Sequence, residues 1–330
     1  MRRRGKRIRQ LFSLIACVAL VVSGCADDTS QPPGQHVTRI RVALFPGGST
    51  LPAHVAMVNG IFEREGLEVE FTEGTDLPLF MASLAKGQYD IAMSVPTLAL
   101  VGAEKHIDLQ IVAGLQRQSA GRPNAVWLTR DPSITTLGQL KGKAIAVPSL
   151  TGIITDALLY LLKRDGVGRD EVKLVQTPFP TMGDQLQAGH VDAAIATIAF
   201  FTAIAARGFQ VHDDVIVEAV KDASGGTVDT AITSVWTTSG KFAREHPETI
   251  AAWRMSMTEA IEYLNANPSQ ARALTESWLH IPADVIARSP LPDWAVEVSP
   301  DELTPYLAIS KAVGSTHTDL DLNSVVWQGP

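Results

Sequence analysis

Cysteine is almost missing from this chain: there are two in 330 residues, and the first, Cys17, lies in an apolar run that reads as a removable leader. A chain left with Cys25 alone cannot close an internal disulfide, and it has no Cys-x-x-Cys pair for redox chemistry or zinc. The eight histidines stand singly with no His-Glu-x-x-His among them, so no metal is expected. No Walker loop and no Gly-x-Ser-x-Gly elbow occur, which removes the commonest local signatures of nucleotide and serine-nucleophile chemistry. No apolar run reaches the about 20 residues that a membrane-spanning helix needs. Positive charge is also scarce, with 28 Lys and Arg against 35 Asp and Glu. Six of those positives fall between Arg2 and Arg9, so the chain from Cys25 onward carries a net charge of -13. Such an acidic surface makes nucleic acid an improbable partner, because binding it requires cations that displace counterions.

What is present at the start is a charged segment, then an almost unbroken apolar run at 11–22, then Val22-Ser23-Gly24-Cys25. This is the layout of an export signal, and its ending resembles a bacterial lipobox. The expectation is a signal peptide over 1–24 and lipidation at Cys25, with 25–37, rich in Asp, Ser, Gln, Pro and Gly, as a flexible stalk. Two or more acyl chains on one cysteine would hold the protein stably at the outer face of a membrane, where one chain would not.

With 45% hydrophobic residues and about 300 positions left, two domains of ordinary size are expected. Ile40, Val42 and Leu44 alternate with arginines in a strand, and Leu67, Val69 and Phe71 alternate with glutamates in a second. Asp76 is placed to cap a helix running to Lys86. Short strands follow at 91–93 and 109–113. The grammar repeats with a strand at 144–147, an amphipathic helix whose buried face is Ile154, Leu158, Leu161 and Leu162, strands at 172–175 and 191–196, and Thr181 to Asp184 read as a capping box. Beyond 232–236 the chain turns mainly helical, and this tail is most simply packed back on the first unit. The fold class is α/β, two α/β units in series.

Open α/β sheets bind ligands along the carboxyl edge of their strands. Four strand-to-helix turns there are small and polar: Gly47-Gly48-Ser49-Thr50, Gly74-Thr75-Asp76, Ser94-Val95-Pro96-Thr97 and Ser149-Leu150-Thr151-Gly152. Backbone N–H groups at helix starts, with hydroxyls beside them, can grip an oxyanion or carbonyl. Each turn could equally be a plain helix cap. Gln116 and Arg117 lie just past a strand, near the passage between units; Arg117 or Arg122 could pair with an anion. Phe45, Phe179, Phe200 and Phe201 could line an apolar wall, with Thr197 beside them.

The segment Gly60-Ile61-Phe62-Glu63-Arg64-Glu65-Gly66-Leu67-Glu68-Val69, followed by Leu84-Ala85-Lys86-Gly87-Gln88-Tyr89-Asp90-Ile91-Ala92, closely resembles solute-binding proteins of ABC importers in the sulfonate/nitrate/taurine group. Thr136 to Val147, Leu186 to Ala194 and Phe242 to Ala266 match further stretches of that group, in order. The resemblance implies a two-lobed type II periplasmic-binding-protein clamshell, each lobe an open, mainly parallel sheet flanked by helices, with a helical C-terminal extension. Lobe 1 would comprise 38–128 and 230–330, and lobe 2 129–229. Ligand would be held between the lobes by Phe45, Gly47, Gly48, Ser49, Thr75, Asp76, Ser94, Val95, Thr97, Gln116, Arg117, Ser149, Thr151, Gly152, Thr197 and Phe200. The implied protein is a monomer that hands a small molecule to a membrane permease, without a cofactor and without catalysis.

One departure stands out. Family members often carry Glu-Pro after the Asp-Ala strand, and here Ile198-Ala199 follows Thr197. An acidic group that could meet an amine is missing, which favours a sulfonate, taurine-like or nitrate ligand and leaves a thiamine-precursor pyrimidine or other heterocycle as the second choice. An enzyme on the same scaffold, or a ligand-sensing lipoprotein, is the alternative of another class.

Overall fold

Alternating β-branched and charged residues start the fold at once. The computed structural model describes residues 37–329, so the signal segment, Cys25 and most of the stalk lie outside the described residues. Eleven strands are formed by the described residues: β1 Thr38–Leu44, β2 Leu67–Glu73, β3 Ile91–Ser94, β4 Leu109–Ser119, β5 Val126–Thr129, β6 Ala144–Val147, β7 Lys173–Gln176, β8 Ala193–Ala196, β9 Gln210–Asp214, β10 Thr230–Ser239 and β11 Asp293–Trp294. They make two sheets, ordered β11-β4-β10-β3-β1-β2 and β7-β6-β8-β5-β9. β3 and β8 are buried throughout and read as continuous apolar or small runs, as strands covered on both faces do.

The sheets are mixed, which corrects the expectation of mainly parallel ones. β1 runs parallel to β2 and β3, and β6 to β7 and β8, as strand–helix–strand crossovers require. β5, β9, β10 and β11 are antiparallel to their neighbours. They belong to segments that pass between sheets or return along an edge, so no crossover helix fixes their direction. β5 pairs with β8 and β9, so the first passage lies between Ser119 and Val126, a few residues before the boundary at 128. The return ends at Thr230, where β10 rejoins the first sheet against β4.

The Ile153–Arg164 helix buries Leu158, Leu161 and Leu162 completely; Ile153 takes the buried place read for Ile154, which is half-buried. Thr181 to Asp184 lie inside the Phe179–Ala188 helix, which Pro178 precedes, so they are no capping box. Pro180, the second residue of the helix, is what starts it earlier, its fixed φ being suited to a first turn.

Most of the tail packs on the first unit as expected, with Ile250, Trp253, Met257 and Leu264 joining Ile40, Val42 and Phe62 in one core, but a later helix reaches further. The Thr304–Val313 helix packs on the Ile153–Arg164 and Val215–Ala223 helices of the second lobe. Tyr306 Oη donates to the Ile232 carbonyl at 2.6 Å. The end of the chain then comes back to the first sheet, where Trp327 N–H donates to Ile111 O at 2.9 Å. Apolar residues on both lobes explain the path: Leu303, Tyr306 and Ile309 complete a core that also holds Leu158, Val220, Ile232 and Val235.

Candidate functional site

The carboxyl ends of β1 and β3 in one lobe, and of β6 and β8 in the other, deliver the candidate turns. In the first lobe Thr50 ties its own turn: its hydroxyl donates to Phe45 O at 2.8 Å and accepts from Gly47 N–H at 3.2 Å. Ser49 lies beside Gly114, Leu115 and Trp236 on a small cavity. Ser94 and Thr97 are 0% and 1% exposed. Thr97 Oγ1 starts the Pro96–Glu104 helix and has no partner within the protein, and the same holds for Ser234 Oγ on β10. Ser234 stands opposite Gln116, itself buried on β4. A buried hydroxyl left unpaired costs about 1–3 kcal/mol, a cost that Thr97 and Ser234 each carry.

In the second lobe Gly152 precedes the Ile153–Arg164 helix at φ 100°, ψ 179°, a region essentially reserved for glycine. Open space lies where its side chain would be. The first intrahelical bond runs from Asp156 N–H to Gly152 O at 2.9 Å, which leaves the N–H groups of Ile153, Ile154 and Thr155 without an intrahelical acceptor. Ser149 shapes this start: its carbonyl accepts from Thr155 Oγ1 at 2.6 Å and its hydroxyl from Thr151 N–H at 3.3 Å. Gly152→Ala should therefore strain the turn by about 1–3 kcal/mol, read as a lowered thermal midpoint, without any steric clash.

After β8, Ala199 is held at φ 71°, ψ −47°, a conformation that costs a residue with a side chain about 1–3 kcal/mol. Thr197 O accepts from Phe201 N–H at 2.9 Å, and Phe200 opens the next short helix. The two lobes meet through aromatic rings. Phe45 of the first lobe packs edge-on against Phe179 of the second, with centroids 6.3 Å apart, and Phe179 stacks on Phe200 at 5.5 Å.

Three candidates are already engaged. Arg117 donates through Nε and Nη2 to Glu302 Oε1 at 2.9 and 2.7 Å and through Nη2 to Glu297 O at 2.8 Å, so its charge is met by the tail and it is not a free anion-binding cation. Arg122 pairs with Asp293 at 3.2 Å. Asp76 accepts from Leu79 N–H at 2.9 Å; it is a helix cap, and with Thr75 it is exposed beyond the edge strand β2.

Sequence reasoning missed the tail's contribution. Trp294 Nε1 donates to Gly48 O at 2.8 Å, and Pro292 packs against Gly48. No local pattern announced this, because the two partners lie 246 positions apart. Among the described residues no cluster of three His, Cys, Asp or Glu could hold a metal ion, and no helix is long and apolar enough to cross a membrane.

A family described as NMT1/THI5 like matches residues 49–271, well over half of the chain. The chain belongs to the NMT1/THI5-like family. Among curated proteins it is similar to the taurine-binding periplasmic protein of Escherichia coli, at 26% identity over 247 residues, 74% of this chain and 71% of that protein. Among solved structures it resembles the periplasmic aliphatic sulphonate binding protein SsuA of Escherichia coli, with TM-score 0.70, 16% identity, and coverage of 88% of this chain and 92% of that one. The periplasmic nitrate-binding protein NrtA of Synechocystis PCC 6803 aligns with TM-score 0.71 and 13% identity over 88% of this chain and 86% of that one. The fold is that of the periplasmic binding proteins, with two mixed sheets flanked by helices and a helical C-terminal segment. The family match stops at 271, so the tail that occupies Arg117 and Gly48 lies beyond it.

Proposed function

We propose that this NMT1/THI5-like protein is an extracytoplasmic solute-binding protein that holds a small polar or anionic organic ligand, of sulfonate, taurine or nitrate type, between two lobes and delivers it to an ABC importer. The observation that carries this reading is the helix start at Gly152, with backbone N–H groups free of intrahelical acceptors and open space where a side chain at 152 would be. Similarity to the taurine-binding periplasmic protein supports it. Neutral donors suffice for an anion here, since helix N-termini favour negative charge. Lobe 1 comprises 38–125 and 230–330 in this reading, and lobe 2 lies between. A lipid on Cys25, after removal of 1–24, holds the protein at the outer face of a bacterial membrane, where it acts as a monomer. Binding and release need no bond made or broken, so the protein is not an enzyme. A ligand closes the lobes only by its differential affinity for the closed state.

The aromatic wall of Phe45, Phe179 and Phe200 favours a second ligand class, planar heterocycles, which stack on such faces. Thermal-shift measurements with taurine, methanesulfonate, nitrate and an aminopyrimidine distinguish the two. A true ligand at a hundred times its dissociation constant adds about 2.7 kcal/mol. Thr151→Asp should abolish the shift given by an anion while unliganded stability is kept, because a carboxylate beside the helix start repels it. A shift that survives the substitution removes this helix start from the site.

A further inference from the structure

Asp214 is 4% exposed, and five N–H groups converge on its carboxylate. Two belong to its own helix, Ile216 N–H at 2.9 Å and Val217 N–H at 3.1 Å, both to Oδ1, and amount to an ordinary N-cap. The other three come from elsewhere. Gln118 Nε2, near the end of β4 in the first sheet, donates to Oδ1 at 2.7 Å. Asn124 and Ala125 N–H groups, on the passage between sheets, donate to Oδ2 at 2.7 and 2.8 Å. A cap needs one oxygen; the second is given entirely to the passage.

Asn124 extends the chain of bonds. Its Oδ1 accepts from Ile198 N–H at 3.0 Å, and Ile198 immediately precedes Ala199 with its positive φ of 71°. Gln118, Asp214, Asn124 and Ile198 thus form one continuous hydrogen-bonded path from the first sheet, through the passage, to the turn that carries Thr197 and Phe200.

We propose that Asn124 and Asp214 are positioning residues of the ligand cleft: Asp214 locks the passage between the lobes, and Asn124 Oδ1 holds the Thr197–Phe200 turn in the strained shape that presents it to the guest. The identity of the guest rests on the reading above; the positioning does not. A conformation unfavourable to alanine persists only where its surroundings over-determine it. The Asn124 acceptor is such a constraint, because it fixes the Thr197–Ile198 peptide, one residue ahead of Ala199.

The test reads the turn itself in the full protein without ligand. Asn124→Ala should raise hydrogen exchange at Ile198 to Phe201 by about tenfold, the value of one lost hydrogen bond, while β6 and β8 stay protected. Glycine adopts the positive φ freely, so adding Ala199→Gly should bring exchange at Phe201, whose acceptor Thr197 O remains, back toward wild type while Ile198 stays fast, a pattern that a general loosening of the lobe would not give. Asp214→Asn should speed exchange at Asn124, Ala125 and Ile198 together. Unchanged exchange at the turn in Asn124→Ala, or an even rise over the whole second sheet, overturns the proposal. In parallel, whichever of taurine, methanesulfonate, nitrate or the aminopyrimidine stabilises the wild type should bind Asn124→Ala about tenfold more weakly. If none stabilises the wild type, the functional reading fails while the exchange result still decides the positioning.

Discussion

Asp156→Asn is expected to raise stability at pH 8 by about 2 kcal/mol and to add little at pH 4. Asp156 is 3% exposed in the first turn of the Ile153–Arg164 helix, where Ser315 Oγ of the tail donates to it at 2.8 Å. Burial pushes its carboxyl up from 3.8 to about 6, against the pull of the Ser315 and Ser310 hydroxyls. A raised value means that the folded state prefers the neutral acid. The unfolded chain ionises first as pH rises, so the stability present below pH 3.8 is lost progressively up to about pH 6 and stays lost above it. The full difference is about 3 kcal/mol at roughly 1.4 kcal/mol per pH unit. An amide cannot ionise and keeps the acceptor for Ser315. Ser310 Oγ, the buried hydroxyl that faces the same carboxyl, can accept its N–H. Urea unfolding of both proteins at pH 4, 6 and 8 reads the effect; a gain of equal size at every pH, or a loss at pH 8, would refute the assignment.

Gly114→Ala should destabilise the protein by about 2–3 kcal/mol and loosen the tail from the first sheet. A Cβ at Gly114 would sit 2.6 Å from the Ala295 carbonyl oxygen and 3.0 Å from Ile232 Cδ1. The first neighbour is backbone and cannot swing aside. It belongs to a segment bonded to β4 through Gly114 N–H to Val296 O at 2.7 Å and Ala295 N–H to Leu115 O at 3.1 Å. Relieving the clash therefore means giving up strand pairing, and with it the Trp294 bond to Gly48 O that steadies the first-lobe turn. Thermal unfolding together with hydrogen exchange over 293–297 measures the result. Wild-type stability with full protection there would show that the tail is free to move aside and does not brace the site.

Both effects lie in contacts made by the C-terminal segment, which sequence reasoning packed on the first unit and which reaches the second-lobe helices as well. The amphipathic stripe of the Thr304–Val313 helix shows that the helix buries a face, but a stripe carries no address: the second-lobe helices and the first sheet offer equally apolar surfaces. Arg117 has the same difficulty. Its neighbours in sequence do not disclose that a glutamate 185 positions away meets it, so an arginine near a passage reads as an anion ligand until the fold is known. Asn124 and Asp214 had no signal beyond the capping preference of an aspartate ahead of Val215.

Local periodicity, turn chemistry and helix starts were decided by the sequence alone: the strand at Thr38–Leu44, the buried stripe of Leu158, Leu161 and Leu162, and the glycine at 152 each follow from interactions within a few residues. Strand direction at the passages, the destination of the tail, the engagement of Arg117 and the hold of Asn124 on the Ile198 turn were decided only by tertiary structure. They depend on hydrogen bonds and packing between residues that become neighbours only after the chain has closed long loops, 74 residues from Asn124 to Ile198 and 185 from Arg117 to Glu302, and such loops cost an entropy that grows only slowly with length. Many distant partners are therefore nearly equal in that cost, and the packing of the whole molecule makes the choice.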